Sequence, residues 1–153
     1  MANTYSQIYI QIVFAVKGRQ NFIKETFREE LQKYMTGIIT NKNQKLYAIY
    51  CMPDHTHILI SIKPDISISD LVRDIKANSS SFVKEKHLVS SSFSWQEGFG
   101  AFSYSKSQAP VLVRYILNQP EHHRKKIFRE EYLDFLNQFE IEYNEKYLFE
   151  FYD

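Results

Sequence analysis

Residues 45–63 read KLYAIYCMPDHTHILISIK and contain two apolar runs on either side of Pro53-Asp54. The first run, residues 45–52, is short and rich in side chains that favour strands. The second run, residues 55–63, follows closely enough to pair with it, because proline and aspartate favour a tight reversal of the chain. The stretch therefore predicts two antiparallel strands joined by a turn.

In the segments on both sides of this hairpin, apolar residues recur either every second residue, as in a strand, or every three to four residues, as in a helix. Ser67 can cap the second helix through a variant of the capping box, with Asp70 three residues later. Ser107 can cap the third helix, where Pro110 suits the first turn. The predicted elements outside the hairpin are strands over 5–16 and near 99–105, and helices over 22–39, 67–86, from Ser107 to close to Pro120, and 128–138.

The order of these elements is strand, helix, strand, strand, helix, strand, helix. This order is typical of an α+β ferredoxin-like βαββαβ sandwich, in which helices cover one face of an antiparallel sheet, with an additional C-terminal helix that carries Tyr115. A chain of 153 residues suits one domain, so we expect residues 1–153 to form a single unit. The fold alone does not define a function.

Charge and composition limit the classes of function that the protein can have. Residues 1–129 hold 18 basic and 10 acidic side chains, whereas residues 130–153 hold 1 and 8, so a basic body precedes an acidic tail. No glycine-rich run has the form of a nucleotide-binding loop, and we expect no nucleotide cofactor. The single cysteine, Cys51, and the lack of a long apolar run predict a cytoplasmic protein that does not cross a membrane.

His55 and His57 lie two residues apart on a predicted strand, so both imidazoles project from one face of the sheet. They can therefore share one ligand. Two polar residues at a strand end are the plainer interpretation of such a pair. The five small or apolar residues that follow would hold the pair on a rigid strand and favour a site.

Tyr115 and Gln119 lie four residues apart on the third predicted helix. This spacing stacks them on one helical face, so a phenol oxygen and an amide oxygen could approach the same ion. Tyr115 also continues the spacing of Leu112 and Ile116. A core aromatic with its hydroxyl at the rim is the competing interpretation.

Three segments together carry a resemblance to a known family. The segments MPDHTHILI (52–60), WQEGFGAFS (95–103) and RYILNQPEHHRKKIFREEYLDFL (114–136) resemble, in order, the single-tyrosine HUH transposases of TnpA type. That family includes enzymes of the smallest bacterial insertion sequences and REP-associated tyrosine transposases. The resemblance spans most of the chain, and Thr56 departs mildly from the bulky apolar residue that usually separates the two histidines.

The resemblance implies a role for each matching residue. His55, His57 and Gln119 become the ligands of a divalent metal ion, and Tyr115 becomes the nucleophile that forms a 5′-phosphotyrosine with single-stranded DNA. Hairpin-forming DNA ends are the implied substrate, and the active protein is implied to be a homodimer, with the tyrosine acting either on its own subunit's site or on the partner's. Mixed nitrogen and oxygen ligation suits Mg²⁺ or Mn²⁺, and no feature of the sequence chooses between them.

The segment HHRKKIFR (122–129) follows the tyrosine helix and is the most basic stretch of the chain. Such a cluster can contact DNA phosphates. An equally good interpretation is a solvated helix end whose positive charge balances the acidic tail. The candidate DNA-binding residues are Arg124, Lys125, Lys126 and Arg129. Two other functions stay open: a domesticated REP-associated relative with the same chemistry, and a non-catalytic module that binds single-stranded nucleic acid.

Overall fold

The structure of the chain is a computed structural model, and it describes residues 3–152. Four strands and five α-helices, together with two short 3-10 helices, account for the regular structure of that range. The elements are β1 (Tyr9–Ala15), α1 (Glu25–Asn41), β2 (Lys45–Cys51), β3 (His55–Ser61), α2 (Ile68–Glu85), β4 (Gly100–Tyr104), α3 (Ala109–Leu117), α4 (Gln119–His122) and α5 (Phe128–Gln138), with 3-10 turns at Arg19–Asn21 and Glu145–Tyr147.

The four strands form one antiparallel sheet in the order β2-β3-β1-β4. This order is that of a split βαβ sandwich, and it confirms the predicted α+β, ferredoxin-like fold. β3 lies inside the sheet, where His57 pairs with Val13 of β1 on one side and with Tyr50 of β2 on the other. Strand neighbours on both sides hold the backbone of the histidine pair rigidly.

The side chains of β3 alternate between two differently covered faces. Ile58 and Ile60 belong to the main hydrophobic core, together with Leu31 of α1 and Leu71 of α2. Leu59 points to the opposite face and packs in a separate small cluster. That second cluster consists of Ala48, Leu59, Leu112 and Ile116, so α3 covers the face that α1 and α2 leave open.

Several predicted boundaries move by a few residues. β1 begins at Tyr9 and not at residue 5, because β3 ends opposite Tyr9 and Pro64 then carries the partner chain away. α1 begins at Glu25 because Ile23 still donates its backbone N–H to the carbonyl of Pro53, 2.8 Å away, in the loop before the helix. The Ser67 cap is confirmed, since its hydroxyl accepts from the backbone N–H of Asp70 at 3.0 Å.

The predicted cap of the third helix is wrong. Gln108, not Ser107, occupies the N-cap position of α3, and the Ser107 hydroxyl lies 3.0 Å from that of Ser105. The helix also ends before Gln119, which was predicted to lie on the same helical face as Tyr115. Pro120 has no N–H to donate to the carbonyl of Ile116, so α3 stops at Leu117 and a one-turn helix, α4, begins beyond it.

The C-terminal segment after α5 returns to the sheet without adding a strand. The side-chain amide of Gln96 donates to the carbonyl of Glu150 at 2.8 Å and accepts from its backbone N–H at 2.7 Å. Phe149 is buried against Tyr132 of α5, with ring centroids 4.9 Å apart. The acidic tail therefore holds α5 in place through its aromatic side chains.

Candidate active site

The two histidines of β3 are buried and oriented by hydrogen bonds. His55 is 1% exposed and His57 is fully buried, and their ring centroids lie 5.0 Å apart. Nδ1 of His55 lies 2.7 Å from Oδ1 of Asp54, and Nδ1 of His57 lies 2.8 Å from Oε1 of Gln11. Because each Nδ1 faces an oxygen acceptor, each Nε2 is directed toward the interior of the site.

Glu131 of α5 occupies the centre of the site, although only 2% of its surface is exposed. Its Oε1 lies 3.0 Å from Nε2 of His57, 3.2 Å from Nε2 of His123 and 3.5 Å from Nε2 of His55. Three imidazoles from two parts of the chain therefore surround one carboxylate oxygen. The sequence prediction brought His55 and His57 together correctly, but it did not include Glu131.

Several polar atoms of this cluster are poorly satisfied. Among residues 3–152, Oε1 of Gln119 is buried without a hydrogen-bonding partner, and Nε2 of His55 and Nε2 of His123 face the carboxylate of Glu131 in poor hydrogen-bond geometry. Buried polar atoms of this kind are costly unless something satisfies them. Their convergence on a carboxylate is the pattern expected where a cation belongs.

The spacing of the cluster fits a divalent ion. Nitrogen and oxygen ligands about 2.1 Å from one ion lie about 3.0 to 3.4 Å from each other. The Nε2 to Oε1 distances of 3.0 to 3.5 Å lie in nearly the same range. The four side chains that could hold an ion together are His55, His57, His123 and Glu131.

Tyr115 lies next to the histidine cluster of its own chain. Its hydroxyl donates to Oε2 of Glu131, and its ring centroid is 6.1 Å from that of His57. Nε2 of His122 lies 3.0 Å from the same phenol oxygen. Glu131 therefore connects the two halves of the site, with one oxygen facing the imidazoles and the other facing the phenol.

Gln119 is fully buried and points into the same site from α4. Its Nε2 donates to Oε2 of Glu131 at 3.3 Å. The prediction that Gln119 continues the helix of Tyr115 is wrong, because Asn118 separates α3 from α4. The helical turn is retained across the break, since the N–H of Asn118 donates to the carbonyl of Arg114 at 3.0 Å, and this keeps the two side chains close together.

The electrostatics of the site follow from burial and from the central carboxylate. Burial lowers the pKa of His57 below its ordinary value. Burial acts in the same direction on His55, but the hydrogen bonds and charges of Asp54 and Glu131 outweigh it and raise the pKa of His55 to about 9. Burial and the adjacent Glu131 raise the pKa of Tyr115 far above its ordinary value, so the phenol is protonated at neutral pH.

For Glu131 itself, burial favours the neutral acid, but the facing histidines oppose this effect. Charge interaction with His57 and hydrogen bonds with His123 and His55 hold the pKa of Glu131 below its ordinary range. The carboxylate is therefore ionised and available as a ligand at neutral pH.

The four predicted DNA-binding residues differ in their surroundings. Arg124 pairs with a glutamate on its own turn, and Lys126 pairs with Asp134 of α5. The guanidinium of Arg129 lies 4.9 Å from the ring centroid of Phe151 in the C-terminal segment. Lys125 lines one surface groove that contains Tyr115, and Lys126 lines another cavity that contains it, so these two lysines are the members of the set that lie beside the phenol.

His123 and Glu131 are the residues whose place in the site the sequence analysis did not predict. Glu131 reads as one of two adjacent acids, yet it lies on the apolar face that Phe128, Tyr132 and Phe135 define at helical spacing. A charge within an apolar stripe is a usable signal, because such a group must find a partner when buried. His123 carries no comparable signal beyond its neighbour His122.

Comparison with known proteins shows the family to which the chain belongs. The family model "Transposase IS200 like" matches residues 4–119, and the chain belongs to that family. The matched range contains His55, His57, Tyr115 and Gln119, whereas His123 and Glu131 lie beyond it. A curated relative, the ISDra2 transposase TnpA of Deinococcus radiodurans, is 21% identical over 118 residues, which are 74% of this chain and 84% of the relative.

Two solved structures share the fold. A protein of Deinococcus radiodurans R1 described as a transposase superposes with a TM-score of 0.58 at 21% identity, covering 78% of this chain and 95% of that one. A REP-associated tyrosine transposase, solved with a REP hairpin bound, gives a TM-score of 0.59 at 17% identity, covering 80% of this chain and 73% of that one. In the described part of this chain, no helix is long and apolar enough to cross a membrane.

Proposed function

We propose that the protein cleaves and rejoins single-stranded DNA, with Tyr115 as the nucleophile and a divalent metal ion bound beside it. The observation that carries the proposal is the position of Glu131. One of its oxygens faces three imidazoles and the other accepts from the Tyr115 hydroxyl, so a metal site and a nucleophile meet at one buried carboxylate.

His55 and His57 are the proposed core of the metal site, each presenting Nε2 while Nδ1 is held by a neighbouring oxygen. Glu131 and His123 complete a set of three nitrogens and one oxygen, and Gln119 can add its unpartnered amide oxygen. An ion bound there, Mg²⁺ or Mn²⁺, would act as a Lewis acid toward a phosphate oxygen. The nitrogen-rich set favours Mn²⁺ over Mg²⁺, which prefers oxygen ligands.

The proposed reaction is an exchange of one phosphodiester for another. The Tyr115 oxygen forms a bond to the scissile phosphorus, the bond from phosphorus to the 3′ oxygen breaks, and that oxygen leaves as a 3′-hydroxyl after taking up a proton. The phenol proton leaves toward Oε2 of Glu131, which already accepts from the hydroxyl, and the departing 3′ oxygen takes up that proton. The resulting 5′-phosphotyrosine keeps the ester, so a second 3′-hydroxyl can rejoin the strands without a nucleotide cofactor.

Hairpin-forming DNA ends are the proposed substrate. The family supports this assignment, and one structural neighbour was solved with a REP hairpin bound. Lys125 and Lys126 flank the two cavities that open at Tyr115, where a DNA backbone would pass. We propose that Arg124 and Arg129 contribute to the same positive surface at a greater distance from the phenol, and that the single domain acts in the cytoplasm on host or element DNA.

A covalent-adduct assay tests the proposal. A labelled single strand carrying the hairpin ends that flank the encoding gene is incubated with the protein and Mg²⁺ or Mn²⁺, then denatured. A denaturation-resistant protein–DNA adduct should form with the native chain and with Tyr147→Phe, whose tyrosine is 78% exposed. Tyr115→Phe should give none, and an adduct that survives this substitution would refute the assignment of the nucleophile. Retarded DNA without any adduct would instead favour a non-catalytic binding module.

We further propose a homodimer in which each Tyr115 serves the histidines of its own subunit. The contacts of Tyr115 with Glu131 and the 6.1 Å separation of its ring centroid from that of His57 lie within one chain and support this arrangement. Mixing Tyr115→Phe subunits with His57→Ala subunits should then leave the adduct absent. Restored adduct formation would mean that the tyrosine works across the dimer.

A further inference from the structure

A cavity of about 460 Å³ opens beside Tyr115, between α3 and α5. Its volume lies within the range of small-molecule and cofactor sites, about 300 to 1,000 Å³. Tyr115 and Glu131 form part of its wall, so any occupant would lie in contact with the proposed nucleophile. The proposed function places Lys126 at this cavity, beside the DNA backbone, and assigns no role to the apolar walls of the cavity.

The walls of the cavity are mainly flat or aliphatic side chains. Tyr104 of β4 and Phe135 of α5 contribute aromatic rings, and Val111 and Leu112 of α3 contribute aliphatic groups. Phe135 is held rigidly by stacking on Phe102, with ring centroids 5.2 Å apart. Rigid aromatic and aliphatic walls suit a planar aromatic ligand, as in proteins that stack unpaired bases.

The cavity also carries amides that could read the edge of such a ligand. The side chains of Gln108 and Gln138 both line it. Oε1 of Gln108 accepts from the backbone N–H of Ser105 at 2.8 Å and from its hydroxyl at 3.1 Å. These bonds fix the amide and leave its Nε2 as a directed donor. Lys126 lines the same cavity and pairs there with Asp134, which also lines it, so a phosphate attached to the ligand would replace Asp134 as the partner of this lysine.

We propose that this cavity binds an unpaired nucleobase of the DNA strand, next to the phosphate that Tyr115 attacks. The inference rests on the proposed function and extends it, because it assigns a specificity pocket to side chains that lie beside Tyr115 and Glu131 and take no part in the proposed reaction. The continuity of the cavity with the Tyr115 hydroxyl selects a base over a second protein chain as the occupant. Holding one base there would fix the register of the strand at the nucleophile.

Substitutions on the exposed surface of α3 can test the pocket without disturbing the core. Val111 lines the cavity and is 59% exposed, whereas Leu117 on the same helix is 55% exposed and does not line it. Val111→Trp should fill the cavity, and Leu117→Trp is the matched control. The full-length chain with Mg²⁺ is titrated with the four deoxynucleoside 5′-monophosphates and with 2-deoxyribose 5-phosphate, which lacks a base, and backbone amide NMR signals are followed.

At least one nucleotide should shift the signals of residues lining the cavity in α3 and α5, while the base-free sugar phosphate should not. Val111→Trp should weaken that binding about tenfold or more, and Leu117→Trp should leave it within about twofold of the native chain. Equal responses in the two variants, shifts caused equally by the sugar phosphate, or no shifts at millimolar nucleotide would each overturn the pocket. Shifts that instead track protein concentration would identify a second copy of the chain as the occupant.

The outcome is separable from that of the adduct assay. Adduct formation without nucleotide binding in the cavity would refute the pocket and leave the proposed function standing. Nucleotide binding without any adduct would refute the proposed reaction and leave the pocket standing.

Discussion

The two faces of β3 bury very different side chains. On one face, Ile58 and Ile60 pack against α1 and α2 in a core of aliphatic side chains. On the other face, His55 and His57 meet an ionised carboxylate at equal depth. The same seven residues of strand therefore serve stability on one side and, in the proposed function, metal binding on the other.

The two faces differ in what their burial contributes to the stability of the fold. Burying apolar side chains stabilises the fold, whereas burying a charge with imidazoles around it costs free energy unless all the groups are satisfied. Nε2 of His55 and Nε2 of His123 face Glu131 in poor hydrogen-bond geometry, which indicates that the polar face is not arranged for stability alone. The rigid apolar face holds the polar side chains in position, although burying those side chains costs free energy.

The largest expected effect comes from breaking the polar face. His57→Ala removes a central nitrogen of the proposed site, and we expect Mn²⁺ affinity to fall more than about 100-fold, since even outer-shell changes cost 10- to 100-fold. Isothermal titration calorimetry measures the affinity. His87→Asn is the control, because His87 is exposed and outside the cluster. Unchanged affinity in His57→Ala would remove this residue from the metal site.

A cavity in the apolar face should lower the free energy of unfolding and leave metal affinity unchanged. Leu31 is fully buried in the core that α1 forms with the sheet. Leu31→Ala should lower the free energy of unfolding by about 2 to 5 kcal/mol. Urea denaturation measures this loss, and Mn²⁺ affinity well below the denaturation midpoint should stay within about twofold of the native value. A matching loss of affinity would mean that the two faces are not independent.

A smaller effect is expected from the residues that orient the imidazoles. Gln11 of β1 is fully buried, and its amide accepts from Nδ1 of His57 and donates to the Tyr104 hydroxyl at 3.0 Å. Gln11→Leu keeps the approximate volume and removes both bonds. We expect Mn²⁺ affinity to fall about 10- to 100-fold. A drop as large as that of His57→Ala, or none at all, would contradict a purely orienting role.

The smallest effect concerns the surface beyond the polar face. Lys125→Ala should lower the slope of log affinity for single-stranded DNA against log salt by about 0.7, the contribution of one phosphate contact. Lys33→Ala, on α1 and therefore on the opposite side of the sheet, is the control and should leave the slope unchanged. A slope that does not respond to the Lys125 change would exclude this lysine from the DNA surface.

The sequence predicted the elements that depend on local patterns. The alternation in β3 and the Pro53-Asp54 turn were enough to predict the hairpin and to place both histidines on one face. The cap at Ser67 was equally local and is confirmed. Ser107 failed because Gln108 offers a competing side chain one residue later, bonded to the backbone of Ser105.

The part of the site that the sequence analysis did not predict depends on long-range packing. Glu131 meets His57 across 74 positions of sequence, and only the packing of α5 on the sheet brings them together. That packing depends in turn on the C-terminal segment, where Phe149 covers Tyr132. The irregular tail has no periodicity from which its return to the sheet could be inferred.

The most direct test of the central claim is the location of a bound metal ion. A crystal of the protein grown with Mn²⁺ and measured at the manganese absorption edge should give one strong anomalous peak, bounded by Nε2 of His55, Nε2 of His57 and Oε1 of Glu131, and next to the Tyr115 hydroxyl. A peak elsewhere would contradict the account. The absence of a peak between the imidazoles, in a crystal grown with saturating Mn²⁺, would contradict it equally.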